Sequence, residues 1–248
     1  MFRYKNNKLN VIIPMAGLGS RFQKVGYELP KPLIDVNGKP MVQFVVEAMN
    51  IDAHFIYIVQ KQHRLDFPLD DILSFTPNFS IVEVNGLTEG AACSVLASKD
   101  IINNDNPLII MNSDQYIIWD SIDFMDKIID YDGGIMCFKA HDNKWSFAKC
   151  DENNIITEVA EKNPISDNAT AGIYYWKHGS DFVKYAEQMI ENNIRVNNEF
   201  YVCPVYNEAI KDDKKIYNYM IDSDCMWGLG TPEDLNYYLK KTNDINIT

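Results

Sequence analysis

Three groups of residues have types and spacings that could do chemistry on an anionic substrate. The first is Gly17-Leu18-Gly19-Ser20-Arg21, which follows the apolar run Leu9-Asn10-Val11-Ile12-Ile13-Pro14-Met15. Glycines at the end of a strand let the backbone take positive φ, so amide N–H groups can point at phosphate oxygens. The second is Lys31, ten residues after Arg21 and stiffened by Pro30 and Pro32. A planar guanidinium and a point-charge ammonium on either side of a glycine loop suit a polyphosphate. The third is Asp114, which closes the apolar run Pro107-Leu108-Ile109-Ile110-Met111-Asn112 and could hold a hard cation or only cap a turn. The dinucleotide spacing G-x-G-x-x-G fails at Phe22, and G-x-x-x-x-G-K-[ST] is absent.

These groups need a scaffold that delivers strand ends to one edge. Strands are expected at 9–15, 53–60, 79–84 and 107–112, with helices at 41–49, near 70–75 and at 89–99. That alternation is the pattern of a mainly parallel sheet covered by helices on both faces, which binds ligands at the carboxyl ends of its strands. The second half is richer in β-branched and aromatic runs, with strands expected at 134–140, 147–151, 155–160, 171–176 and 215–221. Helices are expected at 180–191, near 202–211 and from Pro232 onward. No linker, low-complexity run or hexapeptide array interrupts the chain, so one domain over 1–248 is the simplest expectation.

Composition excludes several classes. The chain has 248 residues, 46% hydrophobic and 23% charged, which is ordinary for a globular protein. Its net charge of −12 disfavours a nucleic-acid backbone binder. Residues 1–41 nonetheless carry seven basic residues against Glu28 and Asp35, so the remainder carries −17. A cationic start on an acidic protein suits a small anionic ligand or simply a solvated face. The opening residues lack the apolar segment of a secretory signal, and no run reaches the ~20 residues of a membrane helix. Cys93, Cys137, Cys150, Cys203 and Cys225 are odd in number with no C-x-x-C spacing and read as reduced thiols of a cytoplasmic protein. Self-association is left open.

The run GLGSRF…ELPKPLIDVNGKPM resembles the signature of the sugar-nucleotide pyrophosphorylases, nucleotidyltransferases that join a nucleoside triphosphate (NTP) to a sugar 1-phosphate. Later segments resemble that family in order: Gly86-Leu87-Thr88-Glu89-Gly90-Ala91-Ala92, Asn112-Ser113-Asp114, Trp145-Ser146-Phe147-Ala148, Glu161-Lys162, Asn198-Glu199-Phe200-Tyr201 and Trp227-Gly228-Leu229-Gly230-Thr231-Pro232-Glu233-Asp234. The resemblance implies a three-layer α/β/α domain with a GT-A/Rossmann-like, mainly parallel mixed sheet. It implies transfer of a nucleotidyl group to a phosphorylated acceptor with release of pyrophosphate, in making surface polysaccharide precursors.

By the same resemblance, Arg21 and Lys31 are catalytic. Nucleotide binding falls to Ala16, Gly17, Leu18, Gly19, Ser20, Arg21, Asn85, Thr88, Glu89, Gly90 and Ser113. Acceptor binding falls to Glu161, Lys162, Gly172 and Glu199, and Mg²⁺ binding to Asp114. The family's second metal-binding Asp falls on Gly228, so Asp222 or Asp224, a few residues upstream, is the substitute, with Asp224 the candidate ligand, or one carboxylate suffices. Glu89 either caps a helix or reads the base. In the second role an ionised carboxylate suits the exocyclic amine of cytosine or the N1–H and N2 amine of guanine, which favours CTP, then GTP, over UTP or dTTP. An exposed Lys31 contributes little to folding, so Lys31→Ala is expected to leave melting almost unchanged. Three alternatives stay open: a CTP-dependent enzyme with a non-sugar acceptor, a glycosyltransferase of the same architecture, and a non-catalytic sensor.

Overall fold

The computed structural model describes residues 4–245. Residues 1–3 and 246–248 of the expected domain lie outside the described residues. The first half runs β1 (Tyr4–Pro14), α1 (Ser20–Gln23), a 3₁₀ turn (Lys31–Leu33), β2 (Asp35–Val36), β3 (Lys39–Pro40), α2 (Met41–Ala48), β4 (Ile51–Gln60), α3 (Lys61–Asp66), α4 (Leu69–Leu73), β5 (Phe79–Val84), α5 (Ala91–Leu96), α6 (Lys99–Ile102) and β6 (Leu108–Met111). After β7 (Gln115–Ile117) and α7 (Ser121–Ile128) come β8 (Gly133–Lys139), β9 (Ser146–Cys150), β10 (Ile156–Glu161) and β11 (Asn168–Trp176). The chain then continues through α8 (Gly179–Glu191), α9 (Val205–Lys211), β12 (Ile216–Met220), β13 (Met226–Gly228) and α10 (Pro232–Ile245).

Among the described residues, nine strands form one mixed sheet. β1 pairs in parallel with β4 and β6, and β4 with β5. β11 is the reversed strand: it runs antiparallel to β6 and to β8, and β12 then pairs in parallel with β8. Along the path from β5 to β12 only β11 is reversed, so the sheet is mainly parallel. The start of β11 also contacts β9, which carries β10 on its outer side.

Alternation along the central strands builds two cores, as strand geometry requires. Val11, Ile13, Tyr57, Val59, Ile109 and Met111 face one side, with Val42 and Val46 of α2, Leu73 of α4, Phe124 and Ile128 of α7 and Leu235 of α10. Ile12, Ile56, Ile58, Leu108 and Ile110 face the other, with Val95 of α5, Phe182 and Met189 of α8 and Tyr206 of α9. The architecture is α/β/α in three layers.

Several boundaries differ from the sequence expectation for local reasons. The helix expected at 89–99 divides, because Ser98 Oγ donates to the Val95 carbonyl at 2.7 Å and tightens the chain there. α9 starts at Val205 rather than 202 because Pro204 occupies its N-cap. α7 was not anticipated, although Asp120 caps it by accepting from the amides of Ile122 and Asp123. The two-stranded β7–β13 arm was not anticipated either, since three-residue strands leave too short a pattern to read.

Candidate active site

The glycine turn is pinned at its root. Met15 donates its amide to the Ile58 carbonyl at 2.9 Å, and Gln60 Nε2 donates to the Ala16 carbonyl at 2.7 Å. Gly19 adopts φ +63°, and a Cβ built there lies 3.0 Å from Lys31 Cβ. That glycine therefore serves two ends: it turns the chain into α1, and it lets the Pro30-Lys31-Pro32 segment pack against the loop.

Lys31 Nζ donates to Asp114 Oδ2 at 2.6 Å, and the two side chains retain only 23% and 22% of their exposure. The sequence expectation of an exposed Lys31 is thus corrected: the ammonium is largely covered and its removal strands a carboxylate. A Cβ built on Gly230 would stand 2.6 Å from Asp114 Oδ2, and Leu229 donates its amide to the Asp114 carbonyl at 2.7 Å. The closing Gly230-Thr231 pair is glycine first because the turn between β13 and α10 passes directly over the Asp114 carboxylate.

Around this pair lie two adjoining cavities of about 420 and 370 Å³ that share Pro14, Lys31, Ala91, Ser113 and Glu199 and so form one cleft. Ala16, Gly17, Leu18, Gly19, Ser20, Thr88 and Gly90 line the smaller cavity. Arg21, Asp114, Glu161 and Lys162 line the larger one. Residues from β1, from the segment after β6 and from β10 are thereby brought together across more than half the chain.

Four expected site residues line neither cavity. Glu89 is 67% exposed at its side chain and accepts from Arg195 Nη2 at 2.5 Å, so the argument that its carboxylate selects an amine-bearing base fails. Asn85 is exposed, before the turn at Gly86. Gly172, at φ +76°, is glycine for a structural reason: a Cβ there would collide with Gln115 Oε1, which accepts from Asn112 Nδ2 at 2.9 Å. Asp224 sits in the 3₁₀ turn Ser223–Cys225. The antiparallel register Met226–Ile117, Gly228–Gln115 carries it away from Asp114.

The carboxylate that does stand near the vacant position is Asp234 of α10. Its Oδ2 lies 3.8 Å from a Cβ built on Gly228, and its Oδ1 accepts from Lys144 Nζ at 2.9 Å. In the sequence Asp234 stands only at the end of the closing Trp227–Asp234 segment, and Lys144 carries no signal beyond its neighbour Trp145, whose ring lies 4.8 Å from the ammonium.

Side chains dominate the other end of the cleft. Ser146 donates to Glu161 Oε2. Burial pushes the Glu161 carboxyl above the ordinary glutamate range; the Ser146 hydrogen bond and Lys162 oppose that shift, and Glu199 adds to it. Lys162 donates to the Tyr201 hydroxyl at 2.7 Å, with its ammonium 4.7 Å from the same ring. Thr170 and Tyr174 share a hydroxyl–hydroxyl bond of 2.9 Å, and burial holds the Cys203 thiol well above its usual range. Tyr201, Thr170, Tyr174 and Cys203 all line the larger cavity; in the sequence Tyr201 stands only at the end of the Asn198–Tyr201 segment, and the other three carry no site signal.

No group of three or more His, Cys, Asp or Glu among the described residues could enclose a metal. Mg²⁺ does not need such a cage, since it keeps several waters and is held by one or two carboxylates together with substrate phosphates. Asp114, an oxygen donor at a strand end beside the glycine turn, fits a Mg²⁺ carried in with a polyphosphate.

The family model described as nucleotidyl transferase matches residues 10–244. The bifunctional protein GlmU of Methanocaldococcus jannaschii is 29% identical over 244 residues, covering 95% of this chain and 55% of the relative. The chain thus spans about half the length of the curated relatives it matches. A nucleoside-diphosphate-sugar pyrophosphorylase from Vibrio cholerae RC9 superposes with a TM-score of 0.82 at 25% identity, covering 93% of this chain and 99% of that one. The inositol-1-phosphate CTP transferase of T. maritima shares the fold, with a TM-score of 0.74 at 14% identity over 94% of this chain and 93% of that one. No described helix is long and apolar enough to cross a membrane.

Proposed function

We propose that this chain, which belongs to the nucleotidyl transferase family, transfers a nucleoside monophosphate from an NTP to a sugar 1-phosphate and releases pyrophosphate. The observation that carries this reading is the continuity of the cleft: a glycine-lined cavity and a carboxylate- and hydroxyl-lined cavity meet at Lys31, Ser113 and Glu199.

An acceptor phosphate oxygen attacks the α-phosphorus, forming one P–O bond as the bond to pyrophosphate breaks. No covalent enzyme intermediate is required, so the protein's work is positioning and charge neutralisation. The amides of Gly17 to Ser20 and the Arg21 guanidinium cradle the triphosphate. Lys31 moves its charge from Asp114 towards the attacked phosphorus. Lys162, presented beside Tyr201, holds the acceptor phosphate, while Glu161 and Glu199 accept hydrogen bonds from acceptor hydroxyls. Asp114 would hold a Mg²⁺ brought in with the nucleotide, and that ion would supply charge neutralisation for the leaving pyrophosphate.

Pyrophosphate release measured for five NTPs against a panel of phosphorylated acceptors tests the reading. The panel includes sugar 1-phosphates, polyol phosphates and phosphorylated amino alcohols, since neither Glu161 nor Glu199 is in an ion pair among the described residues. Release with an NTP and a sugar 1-phosphate is the expected result. No release with any pair overturns the reading, and release confined to non-sugar acceptors moves the acceptor class.

A further inference from the structure

The loop that borders the nucleotide cavity is fastened to the segment that borders the acceptor cavity, and the side chains that fasten it line neither cavity. Arg195 is its centre. Its Nη2 donates to Glu89 Oε2 at 2.5 Å, its Nη1 to the Asn198 carbonyl at 3.2 Å and its Nε to Asn193 Oδ1 at 2.6 Å. The guanidinium also lies 4.0 Å from the centre of the Phe200 ring. Backbone bonds run alongside: Phe200 donates to the Glu89 carbonyl at 2.8 Å, and Ala92 donates to the Phe200 carbonyl at 3.0 Å.

Gly90 completes the contact. Its φ is +134°, and a Cβ built there would stand 2.4 Å from the Phe200 carbonyl oxygen, so the two segments touch backbone to backbone. Thr88 and Gly90 line the nucleotide cavity, whereas Tyr201, Val202 and Cys203 line the acceptor cavity. Glu199, next to the clamped Phe200, lines both.

We infer that Arg195 is a positioning residue that couples the two substrates: nucleotide binding at 88–90 orders 198–203, and with it the acceptor pocket. The inference rests on the proposed nucleotide site but concerns residues outside it. An exposed ion pair alone would carry little energy. The guanidinium here satisfies three acceptors and stacks on a buried ring, and the flanking glycine contact leaves no slack between the segments. A coupling of this kind is reciprocal, so the acceptor tightens nucleotide binding by the same factor.

Hydrogen–deuterium exchange tests it without knowledge of the acceptor. The probes are the α,β-methylene analogues of CTP, UTP, GTP, dTTP and ATP, added with Mg²⁺ to the wild type, Arg195→Ala and Glu89→Gln. Glu89→Gln keeps every backbone bond and guards against a folding defect in Arg195→Ala. The expected result with the best-binding analogue is slower exchange in both 15–21 and 195–203 of the wild type, the latter by about fivefold or more. In both variants the 15–21 protection persists and the 195–203 protection shrinks below about twofold. Wild-type protection confined to 15–21 overturns the coupling while leaving the nucleotide site standing. Undiminished protection of 195–203 in both variants overturns Arg195 as its carrier. If no analogue protects 15–21, the nucleotide site itself is wrong and the coupling falls with it.

Discussion

The two ends of the cleft are built from different materials. The nucleotide end is backbone and small residues: a glycine turn tied to β4, the Thr88–Gly90 turn and Ala91. The acceptor end is side chains delivered by separate elements: Ser146 from β9, Glu161 from β10, Thr170 and Tyr174 from β11, and Tyr201 and Cys203 from the segment before α9. Backbone amides bind phosphate whatever base or sugar it carries, whereas a ring of hydroxyls and carboxylates reads the shape of what enters. The difference teaches that phosphate chemistry belongs to the first end and acceptor choice to the second. Substitutions of the phosphate-facing groups should therefore lower turnover, and those at the second end should change the acceptor KM.

The largest effect is expected where the ends meet. Lys31→Ala is expected to lower kcat/KM by about 10²-fold or more, about 3 kcal/mol of transition-state stabilisation. Because Lys31 and Asp114 are mutually covered, either single replacement also lowers Tm by leaving a partly buried charge unpaired. The double variant Lys31→Ala/Asp114→Asn is expected to recover Tm without recovering activity. Recovery of turnover in the double variant would show the pair to be structural only, and the two ends would lose their shared chemical centre.

Metal placement sharpens the comparison next. With Asp224 outside the cleft, Asp224→Ala is expected to leave pyrophosphate release within about twofold of wild type. Asp234→Ala, at the wall beside Gly228 and Lys144, should lower it roughly tenfold by freeing the Lys144 ammonium to compete for phosphate. EDTA should stop turnover in the wild type. A severe loss in Asp224→Ala with normal Asp234→Ala would return the second metal position to the 3₁₀ turn before β13.

At the acceptor end, Glu161→Gln should raise the acceptor KM roughly tenfold with kcat little changed, as expected for one charge-assisted hydrogen bond. Its pH dependence has a definite sign. Burial raises the Glu161 pKa above its unfolded value, so the native state holds the proton to higher pH than the unfolded chain does. Ionised Glu161 therefore costs stability, the cost growing as pH rises from the ordinary glutamate pKa through the folded one. Glu161→Gln should raise Tm at pH 7, with the gain vanishing at acid pH. The wild-type kcat/KM for acceptor should fall on acidification at a pH above the ordinary glutamate value. A pH-independent Tm difference would mean the carboxyl is not desolvated in solution.

What was legible in the sequence follows the same division. The glycine turn and Asp114 could be read because each follows an apolar strand, and Lys31 because it stands between two prolines in a contiguous motif; β1, β4, β5 and β6 were placed to within a few residues except at the start of β1. The acceptor wall was legible only in part: Glu161, Lys162 and Glu199 stand in short segments that carry the resemblance, whereas Thr170, Tyr174 and Cys203 are ordinary strand and loop residues until β11 reverses and gathers them. Glu89 was misread for a related cause. A carboxylate beside a glycine predicts a ligand contact until Arg195, 106 residues on, is known to reach it. Gly172 shows the converse: its role is to admit Gln115, a constraint that exists only once β11 lies over the segment after β6.

The smallest expected effect concerns the base. With Glu89 withdrawn, the Thr88–Gly90 side of the cavity offers hydroxyls: Thr88 Oγ1 donates to the Gly90 carbonyl at 2.9 Å and shares a bond of 2.7 Å with Ser94 Oγ. Leu18 and Leu87, 44% and 60% exposed, line the same cavity as apolar walls. A hydroxyl both donates and accepts, so it can meet the amine edge of cytosine or the carbonyl edge of uracil by rotating. Apolar walls stack on any base. Such a site should separate CTP from UTP by about tenfold or less, unlike one built around a fixed carboxylate. Thr88→Val keeps the shape, removes the hydroxyl and leaves Ser94 to bond elsewhere. It should shift the CTP:UTP ratio of kcat/KM by about threefold to tenfold while kcat at saturating nucleotide stays close to wild type. An unchanged ratio in both Thr88→Val and Ser94→Ala would move base reading to the backbone of 86–90, making the nucleotide end wholly a backbone device and the contrast between the two ends complete.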